Sequence, residues 1–148
     1  MQNVEIRPLR PADHADWKRL WTDYLAFYET VLPEETYATT WERLFDPGEF
    51  EPNGFIAVVD GKAVGLVHFI LHRTCWSAKN NCYLQDLYAD PAARGHGVGT
   101  ALIDAVRKAA AESGITNVYW MTHETNATAR RLYDKVARRT GFIEYDLM

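Results

Sequence analysis

The chain lacks any apolar run near the roughly 20 residues that a membrane-spanning helix needs. Its opening, Met-Gln-Asn-Val-Glu-Ile-Arg, also lacks the basic-then-apolar layout of an export signal. The expectation is a protein with no membrane partner, working in the cytoplasm. Cysteine is scarce: Cys75 and Cys82 are the only two, placed around an expected hairpin turn, where reduced thiols are expected rather than a structural disulfide. Basic excess is missing too. Sixteen Lys and Arg against twenty Asp and Glu leave a net charge of -4, which is unfavourable for nucleic-acid binding. Repeats, linkers and low-complexity tracts are absent, so residues 1–148 read as one domain. That length buries roughly 70% of the unfolded surface without metals or disulfides.

The charge that is present is unevenly spread. Between Thr22 and Gly61 nine acids stand against one base, Arg43. Such a stretch raises the local concentration of cations, and it equally suits a solvated acidic surface.

Hydrophobic periodicity divides the rest. Residues 4–9 alternate as a strand, residues 12–29 carry Trp17, Leu20, Trp21, Tyr24, Leu25 and Tyr28 at helical spacing, and a second helix follows Pro33 as far as Phe45. Asp46-Pro47-Gly48 stops it. Two strands, residues 55–59 and 63–71, flank Asp60-Gly61, a strong hairpin signal. A strand over residues 83–89, a helix from Val98, a strand over 117–122, a helix over 127–139 and a last strand over 142–147 complete the reading. His68 and His72 share one face of a strand, but no third ligand accompanies them, so no metal is expected. Trp17, Trp21 and Trp41 are read as core, whereas Tyr24, Tyr28 and Tyr37 could line an amine pocket by cation–π contact.

The most informative stretch runs from Leu87 to Ile103. A strand passes through Pro91-Ala-Ala into Arg94-Gly95-His96-Gly97-Val98-Gly99-Thr100, and a helix opens at once, with Val98, Leu102, Ala105, Val106 and Ala109 on one face. A strand ending in a glycine loop that starts a helix is a phosphate cradle: the backbone approaches closely, several N–H groups converge, and the helix start adds partial positive charge. No Lys-Ser/Thr follows, which excludes a P-loop, and Gly95-x-Gly97-x-Gly99 is one residue short of the dinucleotide fingerprint.

Arg94-x-x-Gly97-x-Gly99, followed by Asn126, Ala129, Leu132-Tyr133 and Gly141-Phe142, resembles the GNAT superfamily of N-acetyltransferases across residues 83–147. Tyr83-Leu-Gln-Asp-Leu-Tyr-Ala-Asp90 and Val118-Tyr-Trp-Met-Thr-His-Glu-Thr-Asn126 look most like its fungal histone and polyamine acetyltransferase branch. The resemblance implies an α/β fold: a mixed, mostly antiparallel central sheet flanked by helices, in the order β-α-α-β-β-β-α-β-α-β. It further implies acetyl-CoA as co-substrate and a small-molecule or peptide amine as acceptor, cationic in character, such as a polyamine or a lysine-bearing peptide. Main-chain groups of residues 94–100 (Arg94, Gly95, His96, Gly97, Val98, Gly99 and Thr100) would hold the pyrophosphate, with Arg94 either adding charge or bracing the loop. Leu87, Tyr88 and Ala89 would meet the pantetheine, the N–H groups near Leu87 and Ala89 serving as oxyanion donors. Asn126 would cap a helix and contact the CoA arm, and Tyr133 would be the general acid, although its spacing also suits a core aromatic.

The amine needs a base or a desolvating site, because an alkylammonium of pKa near ~10.4 is neutral in only about one molecule in 10³ at pH 7. Asp86 is the first candidate; Glu124 and His123 are the alternatives. One strand after the last helix, where the superfamily usually has two, leaves an open edge that a second subunit can fill, so a homodimer joined through the C-terminal segment is expected. The reading from another class is an acyl-CoA-binding sensor without turnover.

Overall fold

The computed structural model describes residues 3–93 and 95–147; Arg94 lies outside the described residues. The strands are β1 (Val4–Pro8), β2 (Asn53–Val59), β3 (Lys62–His72), β4 (Asn81–Ala89) and β5 (Val118–Tyr119). The helices are α1 (His14–Phe27), α2 (Glu34–Arg43), α3 (Val98–Glu112) and α4 (Ala127–Val136). One sheet holds the strands in the order β1-β2-β3-β4-β5. Neighbours from β1 to β4 are antiparallel and the β4–β5 pair is parallel.

Local chemistry sets these elements. Asp60 and Gly61 both take positive φ, 52° and 77°, as a two-residue hairpin between right-twisted strands requires. Helix α1 ends where the Thr30 N–H reaches the Leu25 carbonyl and the Glu29 N–H reaches that of Ala26, with Glu29 in the left-handed region. Arg7 holds Asp13 through two hydrogen bonds of 2.7 and 2.9 Å, tying β1 to the start of α1. This contact pulls the Asp13 carboxyl below, and pushes the Arg7 guanidinium above, their ordinary values.

The sheet separates two cores. On one face α1 and α2 bury Trp17, Leu20, Trp21, Leu25 and Tyr37 against Ile56 and Leu66. On the other, α3 buries Val98, Leu102, Val106 and Ala110 against Val67, Phe69, Cys82 and Leu84. Helix α3 approaches closely at Gly65, where a Cβ would come within 2.8 Å of both the Tyr88 carbonyl oxygen and Val98; only glycine fits there. Burial pushes the Cys82 thiol up to about 11, while Cys75 is exposed and both cysteines are free.

Three expectations change. The predicted strand over 117–122 shortens to Val118–Tyr119, and the helix over 127–139 ends at Val136. The predicted strand over 142–147 does not form: Phe142, Ile143, Tyr145 and Leu147 are exposed outside the sheet. Alternating apolar residues make a strand only where a neighbouring edge accepts them, and within the single chain this segment pairs with none. Among the described residues no helix is long and apolar enough to cross a membrane.

Candidate active site

The glycine loop folds as a cradle. Gly95 and Gly97 have φ of 90° and 74°, and a Cβ at either would meet nothing within 4 Å. The left-handed backbone, rather than crowding, is what calls for glycine. Gly97 is the N-cap of α3 and supplies no side-chain cap. The first intrahelical bond runs from the Ala101 N–H to the Gly97 carbonyl at 3.0 Å. The N–H groups of Val98, Gly99 and Thr100 therefore precede the helical ladder and have no partner within it. Val98 turns its side chain into the core and His96 is exposed, so the donors that converge here belong to the main chain. Three free donors at the positive end of a 15-residue helix fit a diphosphate.

Beside this loop the sheet opens. Only Cys82–Val118 and Tyr83–Tyr119 pair across β4 and β5, and beyond them the strands part. The register between β3 and β4 then slips: His68 faces Asp86 and Phe69 faces Leu84, so Gln85 is an extra residue, a bulge. Past the bulge the Asp90 N–H donates to the Val64 carbonyl at 2.7 Å. By the alternation of an antiparallel ladder, the amides of Asp86 and Tyr88 also face β3. Those of Leu87 and Ala89 face the opposite edge, where β5 no longer runs. The family resemblance implied these donors and a bulge in this strand; the β3–β4 register puts the extra residue at Gln85.

Asp86 sits on the α1 side of this opening. Its Oδ2 lies 2.8 Å from His68 Nδ1, and its side chain is 13% exposed. His68 is buried, and its Nε2 accepts the indole N–H of Trp17 at 2.9 Å. Tyr24, from α1, touches the same carboxylate: burial and the Asp86 charge hold its phenol far above the ordinary range. Tyr83 is raised by burial and then by Asp86. Tyr83 stacks on Tyr119 at 5.1 Å, and the Tyr119 hydroxyl lies 2.7 Å from His72 Nε2. Of the tyrosines read as an amine pocket, Tyr24 adjoins Asp86 and Tyr28 packs against Tyr24 at 5.1 Å. Tyr37 is instead core, edge-on to Trp17 and Trp21, with its hydroxyl 2.8 Å from that of Thr22. His68 and His72 thus serve hydrogen-bond networks, and among the described residues no group of three or more His, Cys, Asp or Glu could hold a metal.

Tyr133 projects from α4, edge-on to Trp120 at 5.4 Å and packed on the α3-side core. Burial, with a smaller effect from Tyr28, pushes its phenol up to about 12, so it keeps its proton at neutral pH. The contacts that surround Tyr133 are those of a core aromatic. Asn126 caps α4, its side-chain oxygen accepting the Ala129 N–H at 3.4 Å, a long bond. Glu124 and His123 are exposed in the β5–α4 connection; the Glu124 carbonyl accepts from Arg130 at 2.6 Å, and His123 Nδ1 lies 2.8 Å from the Thr125 hydroxyl. Of the three base candidates, Asp86 alone lies on β4, mostly buried on the α1 side, whereas Glu124 and His123 are exposed in the β5–α4 connection.

The chain is similar to known proteins over nearly its whole length. The sequence profile of the Acetyltransferase (GNAT) family matches residues 17–137. A D-amino-acid N-acetyltransferase of Saccharomyces cerevisiae is 37% identical over 144 residues, covering 96% of this chain and 89% of that protein. A thialysine N-epsilon-acetyltransferase of Caenorhabditis elegans is 28% identical over 137 residues, covering 92% and 83%. Among solved structures, an aminoglycoside N-acetyltransferase in complex with CoA superposes with a TM-score of 0.84 at 18% identity, over 100% of this chain and 96% of its own. A ribosomal-protein-alanine N-acetyltransferase of Brucella melitensis does so with a TM-score of 0.79 at 23% identity, over 99% of each chain. Those two likenesses establish the fold. The profile match, which spans most of the chain, and the 37% identical yeast relative make this protein a member of the GNAT family and an N-acetyltransferase.

Proposed function

We propose that the protein transfers an acetyl group from acetyl-CoA, by direct attack, to a primary amine of a cationic acceptor such as a polyamine or a lysine-bearing peptide. The observation that supports this reading is the end of β4–β5 pairing after Tyr83–Tyr119, past a bulge whose ladder alternation aims the Leu87 and Ala89 amides away from β3, with a mostly buried carboxylate, Asp86, beside it. The amides of Val98, Gly99 and Thr100 hold the pyrophosphate, with Asn126 at the CoA arm. The amides of Leu87 and Ala89 bond the thioester oxygen as it becomes an oxyanion. Asp86 takes the ammonium proton, and the freed nitrogen lone pair forms the C–N bond. The C–S bond breaks, the departing thiolate receives the Tyr133 proton, and the second proton still on the acetylated nitrogen is released, which leaves the amide neutral and restores a proton to Tyr133. Tyr24 and Tyr83 beside one carboxylate, with Tyr28 packed on Tyr24, favour a cation, since ring faces and a mostly buried acid both attract it.

The acceptor is tested by following thiol release from acetyl-CoA with polyamines, lysine-bearing peptides, D-amino acids and thialysine. The last two enter because relatives of this chain carry them in their names. A polyamine or lysine peptide giving the highest kcat/KM is the expected result. Preference for a D-amino acid would overturn the cationic assignment, and tight CoA binding with no turnover on any amine would favour a sensor. Because Cys75 is exposed, a thiol reagent reads one protein equivalent at the start, to be subtracted.

The assembly is proposed as a homodimer. Phe142, Ile143, Tyr145 and Leu147 are exposed and β5 pairs on one side only, so the segment after α4 in one copy suits the open edge of its partner. Light scattering is expected to give a dimer for the full chain and a monomer after removal of residues 140–148. A full-length monomer at micromolar concentration would refute it.

A further inference from the structure

His68 has no part in the chemistry above, yet it is the most enclosed polar group at the site, 3% exposed. Its ring nitrogens are both engaged: Nε2 by Trp17 at 2.9 Å and Nδ1 by Asp86 Oδ2 at 2.8 Å. An indole N–H can only donate, so Nε2 must present its lone pair. The ring proton therefore resides on Nδ1 and is donated to the carboxylate. A second proton could enter only at Nε2, where the Trp17 N–H already points. Trp17 cannot turn aside, because it is fully buried, stacked on Trp21 at 5.3 Å and packed against Trp41 at 4.8 Å.

We infer that His68 is a positioning residue for the base, a neutral imidazole whose tautomer Trp17 fixes and whose Nδ1–H holds Asp86 Oδ2 in place. This inference rests on the reading of Asp86 as the proton acceptor. The arrangement reverses the usual flow of a His–carboxylate pair. Here the imidazole is the inner member, closed to a second proton, and the carboxylate is the outer one. The proton leaving the ammonium ends on Asp86 Oδ1, the oxygen not bonded to His68, with no transfer to His68, and returns from there to solvent. The bulge at Gln85 belongs to the same device. It brings Asp86 opposite His68 in the ladder, so the strand irregularity that frees the oxyanion donors also sets the base.

Two measurements test this. Nitrogen-15 spectra of the histidine side chains are expected to show His68 at neutral pH with hydrogen on Nδ1 and a bare Nε2; an Nε2–H tautomer or an imidazolium would overturn the inference. Kinetically, His68→Leu is expected to lower kcat roughly 10- to 100-fold, with the KM for acetyl-CoA unchanged. His68→Asn, whose amide can donate from near the Nδ1 position, should recover most of that loss. In an Asp86→Asn background His68→Leu should cost almost nothing further, since there is no base left to position. Thermal melts confirm that each variant folds. Equal losses for His68→Leu and His68→Asn, or losses that simply multiply with Asp86→Asn, would refute the positioning role. A large loss in Asp86→Asn with none in His68→Leu would sink this inference and leave the base intact. No loss in Asp86→Asn would remove the base reading itself.

Discussion

Asp86→Asn is expected to lower kcat/KM for the amine roughly 100-fold or more, the range over which a positioned general base acts. Binding of CoA should stay unchanged. The substitution is nearly isosteric and keeps an oxygen to accept the His68 N–H, so the pair observed at 2.8 Å survives and the fold should be undisturbed. What is lost is the ability to hold a proton. Initial rates across amine concentrations, with calorimetric titration of CoA as the control, check this. A variant with unchanged rates would move proton removal to solvent or to Glu124, whose exposed position suits a water-mediated route. A matching fall in CoA affinity would instead mean that Asp86 shapes the cradle.

The second large effect is expected at Gly97, the left-handed N-cap of α3, with φ of 74°. Gly97→Val places a β-branched residue where the backbone strongly disfavours one, a strain of about 1–3 kcal/mol. The strain is relieved by rotating the loop, and the amides of Val98, Gly99 and Thr100 then cease to converge. Calorimetry should show CoA bound roughly 10- to 100-fold more weakly, the same energy expressed as an affinity. Global stability should change less, because no atom lies within 4 Å of the added Cβ and the α3 core is untouched. Undiminished affinity for CoA would show that the diphosphate is held elsewhere.

Much of this was legible in the residues, and what was not has a common cause. The Asp60-Gly61 hairpin, the glycine loop and its helix, and the capping role of Asn126 are set by neighbours a few residues apart, so spacing alone reveals them. The bulge at Gln85 exists only as a mismatch between two strands, and no reading of β4 by itself contains it. His68 and Asp86 are 18 residues apart, and Trp17 and His68 are 51. Their meeting depends on the register of β3 against β4 and on how α1 crosses the sheet. Alternation did place His68 on a definite strand face; the chain could not say which helix that face would meet. Tyr37 went the other way. Like Tyr24 and Tyr28 it stands in the acidic stretch, but it packs into the aromatic core instead of the site. The segment over 142–147 was misread because its pattern describes what a strand would look like, while a strand also needs an edge to join.

The shortness of β5 has one more consequence. Two parallel rungs hold β5, Tyr133 packs on Trp120 and Leu132 lies against Gly99, and no residue of α4 is fully buried. Free energy of opening follows buried apolar contact, so the last quarter of the polypeptide must exchange its amide hydrogens long before the layers around β3 let go of theirs. A cofactor arm laid between the loop and this helix would act as the missing fastener, and the slowest part of a catalytic cycle would then be its undoing.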